Sequence, residues 1–184
     1  MNLLTLIVLL PLAGFFLNGL AGPRAGKAFV SVVGCGLPIL AFVAAVRCFL
    51  QLQGGDGTAL LETAYIWAVV GGTSFDISFY FDRLSAVMTL IVTGVGSLIH
   101  VYSTGYMKDD ASYARYFSYL NLFLFFMLLL VLGRSLLVTF VGWEGVGLAS
   151  YLLIGFWFED PEKAAAGKKA FITNRVGDAG FLLG

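Results

Sequence analysis

Long apolar runs separated by short polar turns make up most of the chain. Residues 3–20 form the first run, with Pro11 inside it, and residues 28–50 form the second, with Pro38 inside it. Residues 84–103, 116–132 and 135–158 follow, and a last run extends from about Ala164 to Gly184. A hydrocarbon core of ~30 Å requires about 20 apolar residues in a helix, so this spacing predicts an all-α polytopic membrane protein with about six transmembrane helices. The turns are compact: Gly22-Pro-Arg-Ala-Gly-Lys27, Gly133-Arg-Ser135, and Glu159-Asp-Pro-Glu-Lys163, whose Pro161 suits a helix start. No positive charge precedes Arg24, so the first run is a retained helix rather than a secretory signal. The last run stops at Gly184 without an exit signal, as expected of a piece cut at or near the end of that helix.

One connection is long. Residues 51–82 are polar at both ends, and their middle alternates with period two: Phe75, Ile77, Phe79 and Phe81 against Ser74, Asp76, Ser78 and Tyr80. Residues 65–70 precede that stretch, with Gly71-Gly72 between. The pattern predicts a small extramembrane β-hairpin capping the membrane surface. An interfacial helix around Trp67 is the competing reading.

Composition narrows the class. Of 184 residues, 59% are hydrophobic and 12% charged, with a mean hydropathy of +0.91, which excludes an ordinary soluble domain. The 17 phenylalanines suit lipid-facing and interfacial positions, so the lipid bilayer is the first partner. A net charge of zero suggests no nucleic-acid partner. Cys35 and Cys48 sit ~20 Å apart on one helical run, too far to bridge, and no metal-ligand cluster occurs.

The exception to this apolar character is Glu144, deep inside the fifth run. In a helix from about Ser135 to Phe158 it lies ~14 Å from one end and ~21 Å from the other, near the bilayer midplane. An ionisable side chain there costs several kcal/mol unless paired or hydrated, which marks a functional site. At 100° per residue, Glu144 shares a stripe with Phe140, Gly147, Leu148 and Tyr151, while Gly142, Gly145 and Ala149 fall opposite. The small residues admit a close neighbouring helix. Glu144 therefore looks onto a different contact, holding a partner or water. A protonated carboxyl acting as a structural donor is the alternative.

The last run adds Lys168, Lys169, Asn174, Arg175 and Asp178, with Lys168, Arg175 and Asp178 on one face and Arg175–Asp178 an i, i+3 pair. Asp178 lies ~21 Å along its helix, the depth at which Glu144 stands on the antiparallel neighbour. Two acids and one base thus converge at one depth, as a chain of proton-exchanging groups requires. The alternative for Arg175 and Asp178 is a static ion pair holding helices together. His100, near the end of the third run, reads as a packed or water-bonded residue ahead of a ligand. Arg24, Lys27, Lys108, Arg115, Lys163, Lys168 and Lys169 fall on one side of the membrane, and Arg47, Arg83 and Arg134 on the other. That asymmetry predicts the N-terminus and the hairpin on the outer face.

The stretch Gly142-Trp-Glu-Gly-Val-Gly-Leu-Ala-Ser-Tyr-Leu-Leu-Ile-Gly-Phe-Trp157, followed by Lys168-Lys-Ala-Phe-Ile-Thr-Asn-Arg-Val-Gly-Asp178, resembles the NADH-quinone oxidoreductase subunit L family, chain 5 of respiratory complex I. His100-Val-Tyr-Ser-Thr-Gly-Tyr-Met107 is a further signature, and the resemblance runs along essentially the whole chain as the family's N-terminal third. It implies an antiporter-like proton channel distal from the redox centres, with Glu144 essential, Asp178 supporting, and a lysine partner for Glu144 beyond Gly184. Residues 1–112 would be N-terminal helices and outer hairpin, and residues 113–184 the start of the translocating domain. The implied partners are protons and the other membrane subunits of complex I. NADH, FMN, iron–sulfur clusters and quinone belong to other subunits, since this chain carries no flavin, haem, iron–sulfur or nucleotide motif. The implied location is the inner (plasma) membrane of a bacterium, ahead of the mitochondrial inner membrane. The large subunit of a multisubunit sodium/proton antiporter shares these motifs and is the alternative. The 184 residues alone are expected to be inactive.

Overall fold

Glycine and proline set the first corner of the chain. In the computed structural model, which describes residues 3–54 and 58–184, α1 (Leu3–Phe16) passes through Pro11 without ending. It loosens into a π-helical turn at Leu17–Ala21 and closes with the single turn α2 (Gly22–Ala25). Gly26, at φ 87°, then reverses the chain directly into α3 (Lys27–Gly54), a backbone conformation that side chains disfavour. α3 outlasts its apolar run by four residues at the Gly54 end, so the helix continues into the polar connection.

The alternating stretch is a β-hairpin, not an interfacial helix around Trp67. Strands β1 (Leu60–Val70) and β2 (Thr73–Phe81) pair antiparallel through a two-residue turn at Gly71 and Gly72, whose φ values of 58° and 85° are what such a turn demands. Pairing skips a residue at Ala64 and again at Trp67. Only the base of the alternation marks a buried face: Phe79 and Phe81 are buried, whereas Phe75 and Ile77 stand free at the tip. Glu62 moors the hairpin to α1, its carboxylate accepting from the Leu4 and Thr5 backbone N–H groups, both at 3.0 Å, and from the Thr5 hydroxyl. Those are donors that a helix start leaves unpaired. On its other edge β2 meets the turn after α5, where Arg134 N donates to Ser78 O at 3.1 Å.

Side-chain caps start three of the four remaining helices. Asp82 and Ser85 form a reciprocal box at the start of α4 (Arg83–Tyr106), and the Ser85 bonds hold the Asp82 carboxyl below its usual range. α5 (Tyr113–Leu132) returns, and Ser135 caps α6 (Leu136–Ile154). The sequence places the end of that helix near Phe158; it ends at Ile154 because Gly155 terminates it and Phe156 turns in to pack on Tyr116, 5.5 Å between ring centres. Asp160 caps α7 (Pro161–Leu183), with Pro161 at the expected first position.

Five segments are long and apolar enough to cross a membrane: Leu3–Ala25, Lys27–Gly54, Arg83–Tyr106, Tyr113–Leu132 and Leu136–Ile154. The sixth run is helical over 23 residues but is not among them, because residues 166–183 hold Lys168, Lys169, Arg175 and Asp178. The molecule is a mostly helical integral membrane protein with a β-hairpin on one end. Its main core joins α1, α3, α4 and α5 beneath the hairpin around Ile7, Ala45, Phe81, Leu128 and Leu132. A second cluster around Val30, Phe117 and Phe156 closes the opposite end. There Trp157 Nε1 donates to Asp110 Oδ2 at 3.0 Å, tying the α4–α5 turn to the α6–α7 turn.

Candidate functional site

Two faces of α6 do different work. Gly142, Gly145 and Ala149 are buried against α5. A Cβ on Gly142 would lie 2.5 Å from the Leu130 backbone nitrogen, and one on Gly145 would overlap the Phe126 ring. With that seam fixed, Glu144 is turned toward α7, whose Gly167 in turn packs on the Gly155 backbone. Glu144 is eight residues from the start of α6 and ten from its end, ~12 Å and ~15 Å, nearer the middle than the longer expected helix put it.

There it meets Arg175, whose Nη1 donates to Glu144 Oε2. The same guanidinium stands 3.9 Å, through Nε, from Asp178 Oδ2. The i, i+3 pair expected within α7 is therefore the looser of two contacts, and the partner of Arg175 is on the neighbouring helix. Trp143 completes the group: its indole Nε1 donates to Asp178 Oδ1 at 2.7 Å. Asp178 is 5% exposed, so this bond and the guanidinium replace the water that a buried carboxylate needs. Phe181 stacks on Trp143 and Phe140, with ring centres 6.0 and 5.7 Å away, and Arg175 lies 4.7 Å over Phe171. Beside the group a cavity of about 330 Å³ is lined by Trp143, Ser150, Thr173, Asn174 and Asp178 among others.

The geometry thus brings together all three residues marked in the sequence, Glu144, Arg175 and Asp178, and adds Trp143. Lys168, expected on the same face, is exposed and has no carboxylate within 4 Å among the described residues. His100 is elsewhere, buried in α4 with Nδ1 2.7 Å from Gly96 O and its ring against Phe117. Trp143 was legible in one respect only: an indole N–H at membrane depth must find an acceptor. Chemically, two carboxylates around one guanidinium carry one uncompensated negative charge when both are ionised, and none when one is protonated. The cluster therefore has the capacity to hold one exchangeable proton without adding net charge to a low-dielectric region.

Two family models match stretches of the chain. Residues 133–184, which contain the whole cluster, match the model described as NADH:quinone oxidoreductase/Mrp antiporter, TM, and residues 67–117 match NADH-Ubiquinone oxidoreductase (complex I), chain 5 N-terminus. NADH-quinone oxidoreductase subunit L of Mycobacterium tuberculosis (strain CDC 1551 / Oshkosh) is 47% identical over 181 residues, 97% of this chain. The chain belongs to the subunit L family of NADH-quinone oxidoreductases. The subunit L of Escherichia coli (strain K12) is 40% identical over 178 residues, and NADH-ubiquinone oxidoreductase chain 5 of Allomyces macrogynus 43% over 185, each alignment covering 97% of this chain. The chain spans 28–29% of the length of these subunit L and chain 5 relatives. In fold it is similar to a chain of the membrane-bound sulfane sulfur reductase, an archaeal respiratory membrane complex, with a TM-score of 0.83 at 19% identity over all of this chain and 36% of that one.

Proposed function

We propose that this chain acts in a proton-translocating membrane subunit of NADH:quinone oxidoreductase (respiratory complex I). It moves protons through Glu144, Arg175 and Asp178 and carries no redox cofactor, leaving NADH, FMN, iron–sulfur clusters and quinone to other subunits. The observation that carries the reading is the carboxylate–guanidinium–carboxylate cluster between α6 and α7 at membrane depth, a costly arrangement that proton relays use. Residues 113–184 begin the translocating domain and residues 1–112 support it. The protein resides with other membrane subunits in the inner (plasma) membrane of a bacterium, or in the mitochondrial inner membrane. On this reading the isolated chain oxidises no NADH.

Two experiments on the full-length protein in its native assembly test this. In sealed vesicles, Asp178→Asn is expected to lower NADH-driven proton uptake about two- to fivefold, the range of modest coupling changes. Wild-type pumping by both Asp178→Asn and Arg175→Gln removes the cluster from the pathway. With the N-terminus outside, a membrane-impermeant thiol reagent labels a cysteine at position 134 from outside and one at position 160 from inside; the reverse pattern overturns the orientation.

A second reading has one specific observation behind it: the family description covering residues 133–184 names Mrp antiporters as well. The same cluster then serves a sodium/proton antiporter, and proton movement follows a sodium gradient without NADH oxidation.

A further inference from the structure

On the side of the bundle away from the hairpin, the π-helical turn and α2 meet α5 along small residues. Ala114 lies 3.0 Å from where a Cβ on Gly22 would sit, Ser118 Oγ lies 3.1 Å from the corresponding point on Gly19, and Ser118 also donates to Phe15 O at 2.9 Å. Flanking this seam is a cavity of about 460 Å³, walled by Phe15, Phe16, Leu20 and Pro23 and bounded by Arg115 and Tyr119. Its lower wall is apolar. Arg115 stands only two residues into α5, and the wall residue Pro23 lies in α2, which closes the first span, so the polar end of the cavity lies at headgroup level.

Arg115 is held in place before any ligand arrives. Its guanidinium carbon lies 4.8 Å over the Phe156 ring and 5.0 Å over the Phe158 ring. Of its five N–H donors, one reaches the Phe156 carbonyl at 3.4 Å, and the buried Nε has no partner. Among the described residues no carboxylate comes within 4 Å of it. Asp110, the acid in its neighbourhood, is engaged by Trp157 and by the Ser112 backbone N–H. Arg24, next to the wall residue Pro23, is exposed and has no ion pair among the described residues. A rigid fork of spare donors suits an anion with several acceptor oxygens, and the phosphate is the anion a bilayer supplies at this depth.

We propose that this groove binds an anionic phospholipid, with its phosphodiester on Arg115 and Tyr119 and an acyl chain along Phe15, Phe16 and Leu20. The site is distinct from the Glu144 cluster and depends only on the chain spanning a membrane. The test places photoreactive benzoylphenylalanine at exposed Leu20 in the full-length protein within its native membrane assembly, and reads adduct masses. Phosphatidylglycerol adducts are expected to be enriched about fivefold over phosphatidylethanolamine relative to the bulk membrane, the factor one interfacial arginine supplies. Arg115→Gln should return the ratio to bulk, and Arg115→Lys should leave part of the enrichment. Excess inorganic phosphate should not compete. A bulk ratio in the unsubstituted background, or unchanged enrichment in Arg115→Gln, overturns the proposal, as does complete competition by inorganic phosphate, which would assign the site to a free anion. If Arg115→Gln does not assemble, Tyr119→Phe decides, because it keeps the ring and removes only a donor: reduced enrichment supports the site and full enrichment overturns it.

Discussion

Glu144→Gln in the full-length protein is expected to assemble normally and to lower redox-driven proton transfer about a hundredfold, the lower edge of what losing a proton-exchanging group costs. The amide keeps the size of the side chain and still offers Arg175 a carbonyl oxygen in place of Glu144 Oε2. What remains is one guanidinium beside Asp178, a balanced pair whose acid also accepts from Trp143. Folding therefore tolerates the change, since no buried charge loses its only partner. Function does not, because the balanced pair has no place for a further proton without creating net charge. Arg175→Gln acts in the opposite sense, leaving two acids without their cation at Asp178's 5% exposure, and is expected to reduce the amount of assembled protein as well as its pumping. Proton uptake in sealed vesicles, normalised to subunit content, separates the two. If Glu144→Gln pumps at the full rate, Glu144 is a structural acceptor and the relay runs elsewhere.

The sequence made the faces of α6 readable because a helical repeat of 100° per residue fixes which side chains share a stripe, whatever surrounds the helix. A close-packed face of Gly142, Gly145 and Ala149, with Glu144 turned away, followed from that alone, whereas α5 as the helix packed on it is visible only in the structure. Contacts between helices did not follow. Arg175 and Asp178 are neighbours along α7 and so were visible as a pair, while Glu144 is 31 residues away and its bond to Arg175 depends on how α6 and α7 slide past each other. Trp143 was hidden for the same reason. The end of α6 was misjudged because Phe156, Trp157 and Phe158 are as apolar as a helix interior. They serve instead as a packed turn after Gly155, over Arg115 and beside Asp110. The hairpin was legible where alternation met Gly71-Gly72. Its true start at Leu60 was not, because Glu62 is buried there as a cap on α1, and a buried carboxylate breaks the pattern that marks a strand.

Gly142→Leu is expected to be the most disruptive single change in the helical frame. At Gly142 an added Cβ meets backbone: the Leu130 nitrogen at 2.5 Å, the Leu130 Cα at 2.8 Å and the Leu129 carbonyl carbon at 3.0 Å. Backbone atoms in a helix cannot turn aside, so α5 and α6 must separate along the seam, with loss of the close packing that holds membrane helices together. Overpacking of this kind costs about 1–3 kcal/mol or more, a large share of a marginal stability. Gly145 provides the comparison within the same seam. Its added Cβ would strike the Phe126 ring, a half-buried side chain with rotamer freedom. Gly145→Ala is therefore expected to destabilise less than Gly142→Ala, even though its initial overlap is the more severe. Thermal unfolding in detergent, read by loss of monodisperse protein, ranks the two alanine variants, and steady-state membrane levels report on Gly142→Leu. The seam also sets the rotation of α6, so a Gly142→Ala protein that still assembles should show weakened contact between Glu144 and Arg175, read as lower pumping per assembled complex. Equal melting of Gly142→Ala and wild type would mean that α5 and α6 are held apart by something other than these glycines, and the orientation of Glu144 toward α7 would lose its structural cause.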